Sequence, residues 1–449
     1  MTGVLYNLIS RMMIVDDQNT QKEADIPGGN EKKNDELVIE IRKMVERPEI
    51  ESSKQCRIYK VPNPLRKGNE EAYTPQLVSI GPFHHKNERL KTRLKAMEEH
   101  KERYFRSFLQ RSKINLEDLV VVIRDMEESI RGCYEETIDL PSDRFVKMIL
   151  LDATFIIELF IRKTSISQRS DDPNVVDPRS TDLKVDLLLL ENQLPFFVIE
   201  KLYDLAIRFP SDCRGFRELS FDYFHYLPMQ FVQATPNVKI EHFTDLIRTM
   251  LLPPLEKLPE RNSEGLTHLY SATKLHKAGV KFEAVRSTCN FDIKFEKGVL
   301  KIPNFNIETN TEVIARNIMA LEQTRYLKNA YYTDYFFLLD LLINTTEDVD
   351  LLCDEKILVN YLGDNNAVKS MINNLNISVI GDWVRNDYFH LCEELNGFYE
   401  NPWHKRKATL KSDYFNTPWK TASTVAAIIL LVLTFIQTIS SIIPGIKAK

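Results

Sequence analysis

The sequence predicts a mainly α protein with a small β-strand unit (α+β class): one large helical body followed by a C-terminal transmembrane helix. Three observations predict it. Apolar residues recur at spacings of three and four along most of the chain, as amphipathic helices require. Apolar–polar alternation is confined to about residues 280–302, which is strand patterning. No charged side chain occurs between Thr421 and Ile446.

Residues 1–36, with Asp16, Asp17, Gly28, Gly29, Lys32 and Lys33, read as a flexible polar segment. The apolar run Val4 to Ile9 is too short for a secretory signal. Leu37, Val38, Ile41, Met44 and Val45 mark a first amphipathic helix ending near Pro48. Leu90, Leu94, Met97, Tyr104, Phe105 and Phe108 predict one long helix over 88–111, and Leu116 to Ile130 the next. Phe145 to Phe160 is apolar around most of its circumference, so it reads as a central buried helix. The four leucines after Asp186 cannot all face one side. They predict a buried helix ending near Asn192, and a second running from Pro195, suited to a first turn, to about Ile207. Ser271 caps a short helix stopping at Gly279. Val280 to Val285, Phe291 to Phe295 and Val299 to Ile302 form the strand unit, with Lys297-Gly298 as its turn. Helices resume at about 311–329, 333–344, 366–375 and 383–399. Connections at 164–182, 209–218 and 253–266 are polar or Pro-rich and expected to be exposed. Apolar patterning continues across all three, so residues 37–400 read as a single domain.

Residues 401–420 form a basic, aromatic juxtamembrane segment: Trp403, Tyr414, Phe415 and Trp419 suit a lipid–water interface, and five Lys/Arg oppose Asp413. The anchor follows over 421–446, its centre from Val425 to Ile443. At 1.5 Å per residue that centre is about 28 Å long, close to the hydrocarbon thickness of a bilayer. A buried core helix is the alternative, suggested by Thr434, Gln437, Thr438, Ser440 and Ser441. With no signal segment, the expectation is a tail-anchored protein. The basic N-terminal flank places its body in the cytosol, whether on the plasma membrane or the endoplasmic reticulum.

Composition excludes several classes. Apolar residues make up 43% of 449, too many for wholesale disorder. A net charge of −5 gives no pull towards nucleic acid, and 14 glycines are few for glycine-loop nucleotide folds. The six cysteines lie tens of residues apart without zinc-site spacing, and read as reduced thiols in packed helices. No cofactor and no metal is expected.

The candidates for chemistry are few. His84-His85 follow Ile80-Gly-Pro-Phe83 at an expected strand-to-helix turn, with Glu98, Glu99 and His100 one helix away. Adjacent imidazoles point different ways, so a structural role is the simpler reading. Glu191-Asn192-Gln193 could line a pocket, but a buried amide network fixing helix ends fits better. Asp348-Val-Asp350 has the aspartate-x-aspartate pattern of some metal-nucleotide sites, and equally suits the first turn of a helix. Residues 86–111 carry nine Lys/Arg against four Glu, the composition of a solvated helix face or of a surface for anionic lipid or a phosphorylated partner. Asn344-Thr-Thr and Asn376-Ile-Ser are glycosylation triplets.

Several segments together resemble the plant-specific domain-of-unknown-function 247 family. They are Tyr59-Lys-Val-Pro62, Val78-Ser-Ile-Gly-Pro-Phe-His-His85, Met97-Glu-Glu-His-Lys101, the LLLLENQLPFFV core between Asp186 and Leu202, and Ala272 to Phe282. Glu322-Gln323 and Asp413-Tyr-Phe415 before Pro418-Trp419 continue the match, while Lys86 stands where members often carry Gly. The resemblance implies a single-pass membrane protein without established catalysis or assigned active-site residues. Some grass members are implicated in self-incompatibility, which implies recognition. The leading expectation is a non-enzymatic, membrane-anchored interaction module whose partners are the bilayer and an unidentified protein. The rivals are a membrane-bound enzyme using the His84/His85 region and a luminal recognition ectodomain.

Overall fold

The structure, a computed structural model, describes residues 38, 39, 41, 42, 56–85, 87–112, 114–164, 177, 180–206, 214–225, 227, 238–253, 268–287, 289, 291–376, 386–414 and 418–447. The chain divides into two units, Met1–Ser52 and Ser53–Lys449. In the first, residues 38, 39, 41 and 42 are helical and exposed; the rest of the predicted first helix lies outside the described residues.

The second unit opens with an extended stretch. Ile58 bridges residues 133–135 through its own N–H and C=O, and helix α1 (Asn63–Gly68) follows. The predicted long helix over 88–111 is broken: α2 (Glu88–Arg93) and α3 (Lys95–Arg111) meet at Leu94, which leaves helical geometry. Asn87 caps α2 by accepting from the N–H groups of Arg89 and Leu90. After α4 (Leu116–Arg131), the apolar run around Phe145 becomes α5 (Ser142–Thr164), with fourteen of its residues buried. Helices α3 and α4 pack against α5, as do α7 (Phe196–Ala206) and α8 (Phe216–Phe224). Phe160 of α5 stacks on Tyr223 at a ring separation of 4.1 Å and meets Phe216, Phe224 and Phe243.

The leucine run departs from the expected helix. Helix α6 (Thr181–Asp186) stops at Asp186, and Leu187 to Leu194 form a buried irregular turn. The physical reason is that Asn192 and Gln193 side chains take the hydrogen-bond places a helix backbone would use: Gln193 Nε2 donates to Leu187 O and Leu189 O, and Asn192 Nδ2 to Asp186 O. The 209–218 connection ends early, because α8 begins at Phe216. Residues 165–176 and 254–267, the bulk of the other two connections, lie outside the described residues.

Helices α9 (Phe243–Leu251) and α10 (Ala272–Lys277) lead into the strands β1 (Lys281–Val285), β2 (Lys294–Glu296), β3 (Val299–Pro303) and β4 (Phe305–Ile307). Strand β3 is central, parallel to β1 and antiparallel to β2. Lys297 and Gly298, both with positive φ, close the β2–β3 hairpin, the geometry that matches strand twist. Then come α11 (Thr311–Arg325), α12 (Tyr331–Leu342), α13 (Thr346–Asp354), β5 (Leu358–Asn360), α14 (Asn365–Asn376) and α15 (Asn386–Glu400). Strands β4 and β5 form a parallel two-stranded sheet that periodicity did not reveal, since three residues are too short to show a period.

Helix α16 (Pro402–Tyr414) holds four of the five Lys/Arg residues of the 401–420 segment, and α17 (Pro418–Lys447) holds Lys420 and the uncharged run 421–446. Within α17, Pro418–Ile439 is long and apolar enough to cross a membrane, at about 33 Å. None of that span is buried, so the core-helix alternative does not hold. Thr434 and Thr438 hydroxyls donate to the carbonyls of Leu430 and Thr434, which satisfies them within the helix itself.

Candidate functional site

Four of the segments singled out by sequence, 59–62, 78–85, 97–101 and 186–202, converge on one region. Asp186, at the end of α6, accepts three successive backbone N–H groups, from Gln76, Leu77 and Val78. Asn192 Oδ1 accepts from Ile80 N at 2.6 Å while its amide donates to Val78 O. Gln193 Oε1 accepts from Phe243 N at 2.9 Å. Glu191 accepts from Val61 N at 2.8 Å and pairs with Arg66. Each member of the 191–193 triplet therefore holds a different segment. Both N–H donors and the oxygen of each of the Asn192 and Gln193 amides are engaged within the protein. Gly81 completes the lock: its φ is +71°, and a Cβ there would come within 2.6 Å of Gln193 O.

The histidines separate. His84 is buried and, among the described residues, its Nε2 has no hydrogen-bond partner; burial lowers its pKa to about 4, keeping it neutral. His85 is half-buried, and burial with nearby Lys91 lowers its pKa too. Both line a cavity of about 490 Å³ between α2, α3 and α5. Two carboxylates meet there, but on a lysine: Lys101 Nζ lies 2.6 Å from Asp152 Oδ1, 2.8 Å from Glu98 Oε1 and 2.5 Å from Ser79 O. Three acceptors use all three of its protons. Burial works against the Lys101 charge, but Asp152 and Glu98 outweigh it and hold the pKa above its usual value, so Lys101 is a cation and no nucleophile. Burial raises Asp152 to about 6, with Lys101 opposing. Among the described residues, no three His, Cys, Asp or Glu side chains converge as metal ligands.

Asp348 is a helix clamp. It accepts from Thr345 N and Oγ1 in the capping box of α13, and from Thr273 N and Oγ1 at the start of α10. Burial pushes its pKa up, but these bonds prevail and hold it below the usual carboxylate value. Asp350 instead accepts from Asn365, so the two aspartates face different partners. Glu322, fully buried, accepts from Arg248, Tyr332 N and Thr333.

Sequence reasoning missed Lys101, Asp152, Lys95, Arg144 and Lys147 as cavity residues. One signal was available: Asp152 is an ionisable residue inside an otherwise apolar helix face. The cysteine reading needs one correction. Cys353 and Cys392 sit in helices, but Cys56, Cys133 and Cys289 do not, and Cys213 lies outside the described residues. The Cys56 thiol is hydrogen-bonded with Cys133 and buried, which together push its pKa well up.

Fold and site together define a mostly helical body, cross-linked by buried carboxylates and amides, bearing one exposed helix long enough to span a bilayer. The chain belongs to the domain-of-unknown-function 247 family, described as plant protein of unknown function, whose model matches residues 58–433. It is similar to the UPF0481 protein At3g47200 of Arabidopsis thaliana, 27% identical with 89% of each chain covered. It is also similar to a second Arabidopsis UPF0481 protein, At3g02645, 24% identical over 85% of this chain and 89% of the relative. No solved structure matches the fold.

Proposed function

We propose that the chain is a non-enzymatic, membrane-anchored recognition module that presents its helical body to a protein partner in the cytosol. The observation that carries this reading is the contrast between α17 and the body: Val425, Leu430, Leu431 and Phe435 stand exposed in one continuous run, whereas the body buries most of its large apolar side chains and exposes only scattered ones such as Leu116, Val121 and Leu327. Removing about 30 Å of such helix from water into lipid is strongly favourable. What supports a role in recognition rather than catalysis is that the sequence motifs are spent on internal clamps. Self-incompatibility-type signalling, implied by the family resemblance, is one setting for such a module.

The test is topology, then capture. In plant cells the full chain resists alkaline extraction, its body is digested by protease added outside the microsomes, and glycosidase produces no shift. A protected, glycosylated body overturns the cytosolic assignment. In affinity capture, replacing Pro418–Ile439 by an unrelated apolar span leaves the partner set unchanged; losing the partners would move recognition into the span.

A further inference from the structure

Besides Ser79, His84, His85 and Lys91, the lining of the cavity between α2, α3 and α5 falls into three chemically distinct zones. Its floor is an ion pair, because Lys101 gives its three protons to Asp152, Glu98 and Ser79 O, and Asp152 Oδ2 accepts from Gly81 N at 2.8 Å. Its wall is apolar: Leu90 and Leu94 are buried, Met148 and Leu151 half-buried. Its rim is cationic. Lys95, Arg144 and Lys147 are exposed, and among the described residues none of the three has a carboxylate partner. Against them Glu102 is the one lining carboxylate outside the floor's ion pairs.

We propose that this cavity binds a small organic carboxylate, its apolar body against Leu94, Met148 and Leu151 and its carboxylate at the mouth between Lys95, Arg144 and Lys147. The volume of about 490 Å³ suits a small-molecule ligand. A sugar or nucleotide body lying along the four apolar side chains of the wall would leave the hydroxyls that face them unpaired. A neutral apolar ligand would gain nothing from the rim cations. A carboxylate satisfies both zones, and Arg144 offers a planar fork that grips it with two hydrogen bonds. A second cavity of about 420 Å³, between α3, α4 and α5, shares Glu102, Lys147 and Leu151 with the first and gives a longer apolar body room along α5.

The test uses the full chain in discs of zwitterionic lipid, so that the added acid is the organic anion present, with empty discs as the blank. Calorimetry follows 4-phenylbutanoate and its uncharged counterpart 4-phenylbutan-1-ol; intrinsic fluorescence follows 2-naphthoate. Both acids are expected to saturate one site per chain. Lys95→Glu with Lys147→Glu, both on exposed side chains, weakens the acids at least tenfold and the alcohol less than twofold. Met148→Trp fills the wall and removes binding of acids and alcohol alike. Melting temperatures of the variants confirm that they are folded, and the charge-reversed pair decides the matter if Met148→Trp is not. Absence of saturable binding of both acids, or acid binding unchanged by charge reversal, overturns the proposal.

Discussion

Asp186 and His242 show how single buried residues set the behaviour of this protein. Asp186 carries three backbone N–H bonds, yet burial still raises its pKa to about 6; Asp152 and Asp340 are likewise raised to about 6. Their folded values lie above those of the unfolded chain, so their burial costs stability above pH 6, and that cost is recovered as pH falls towards about 4. His242 works in the opposite sense. It caps α9, its Nδ1 accepting from Asp245 N at 3.4 Å, and burial lowers its pKa to about 4. Below about pH 6.5 the unfolded chain takes up a proton that folded His242 refuses, so stability is lost as pH falls from about 6.5 towards 4. At pH 5 that loss is about 2 kcal/mol. His242→Asn keeps a capping side chain and removes the titration. Its stability relative to wild type should therefore improve by about 2 kcal/mol between pH 7 and pH 5 in denaturant titrations. An unchanged difference would mean that His242 is not held neutral.

At the scale of elements, α3 meets α5 through Tyr104–Phe155 and Arg111–Glu158 as well as through Lys101 and Asp152, two opposite charges at 2.6 Å in a buried site. Lys101→Met alone leaves Asp152 buried without its cation and should cost about 3–5 kcal/mol. Adding Asp152→Asn keeps an acceptor for Gly81 N and removes the stranded charge. Urea unfolding of the double variant should recover more than half of the loss; additive losses would show that the two side chains act independently. The helices themselves were largely legible, because a buried face leaves its period in the sequence: α4, α5, α11 and α14 begin and end within a few residues of the apolar pattern. Where side chains replaced backbone bonding, legibility failed. Leu187 to Leu194 look helical by composition, yet Asn192 and Gln193 hold them as a turn. The cavity was less legible still. Its rim joins Lys95 of α3 to Arg144 and Lys147 of α5, and no local pattern in either helix announces that they meet.

For the molecule as a whole, α17 stands outside the body's core. The side chain of Thr424 reaches back to Tyr414 O at 3.1 Å, but no residue from Pro418 to Ile439 is buried. A chain ending at Tyr414 should melt within about 2 °C of the full protein, since ordinary surface changes stay within about 0.5 kcal/mol, and should be released by alkaline extraction. A large drop in melting temperature would mean that α17 braces the body. The clamps have a further consequence, for the order of events during synthesis. Ala72 O waits for the amide of Asn317, 245 residues later; Arg57 N waits 184 residues for Glu241, and Val61 N waits 130 for Glu191. A ribosome therefore releases residues 56–81 long before it has made what fastens them. Partners so distant in sequence make folding slow. The body closes around its own beginning only after α11 has emerged, and until then the nascent extended segment remains a client for chaperones.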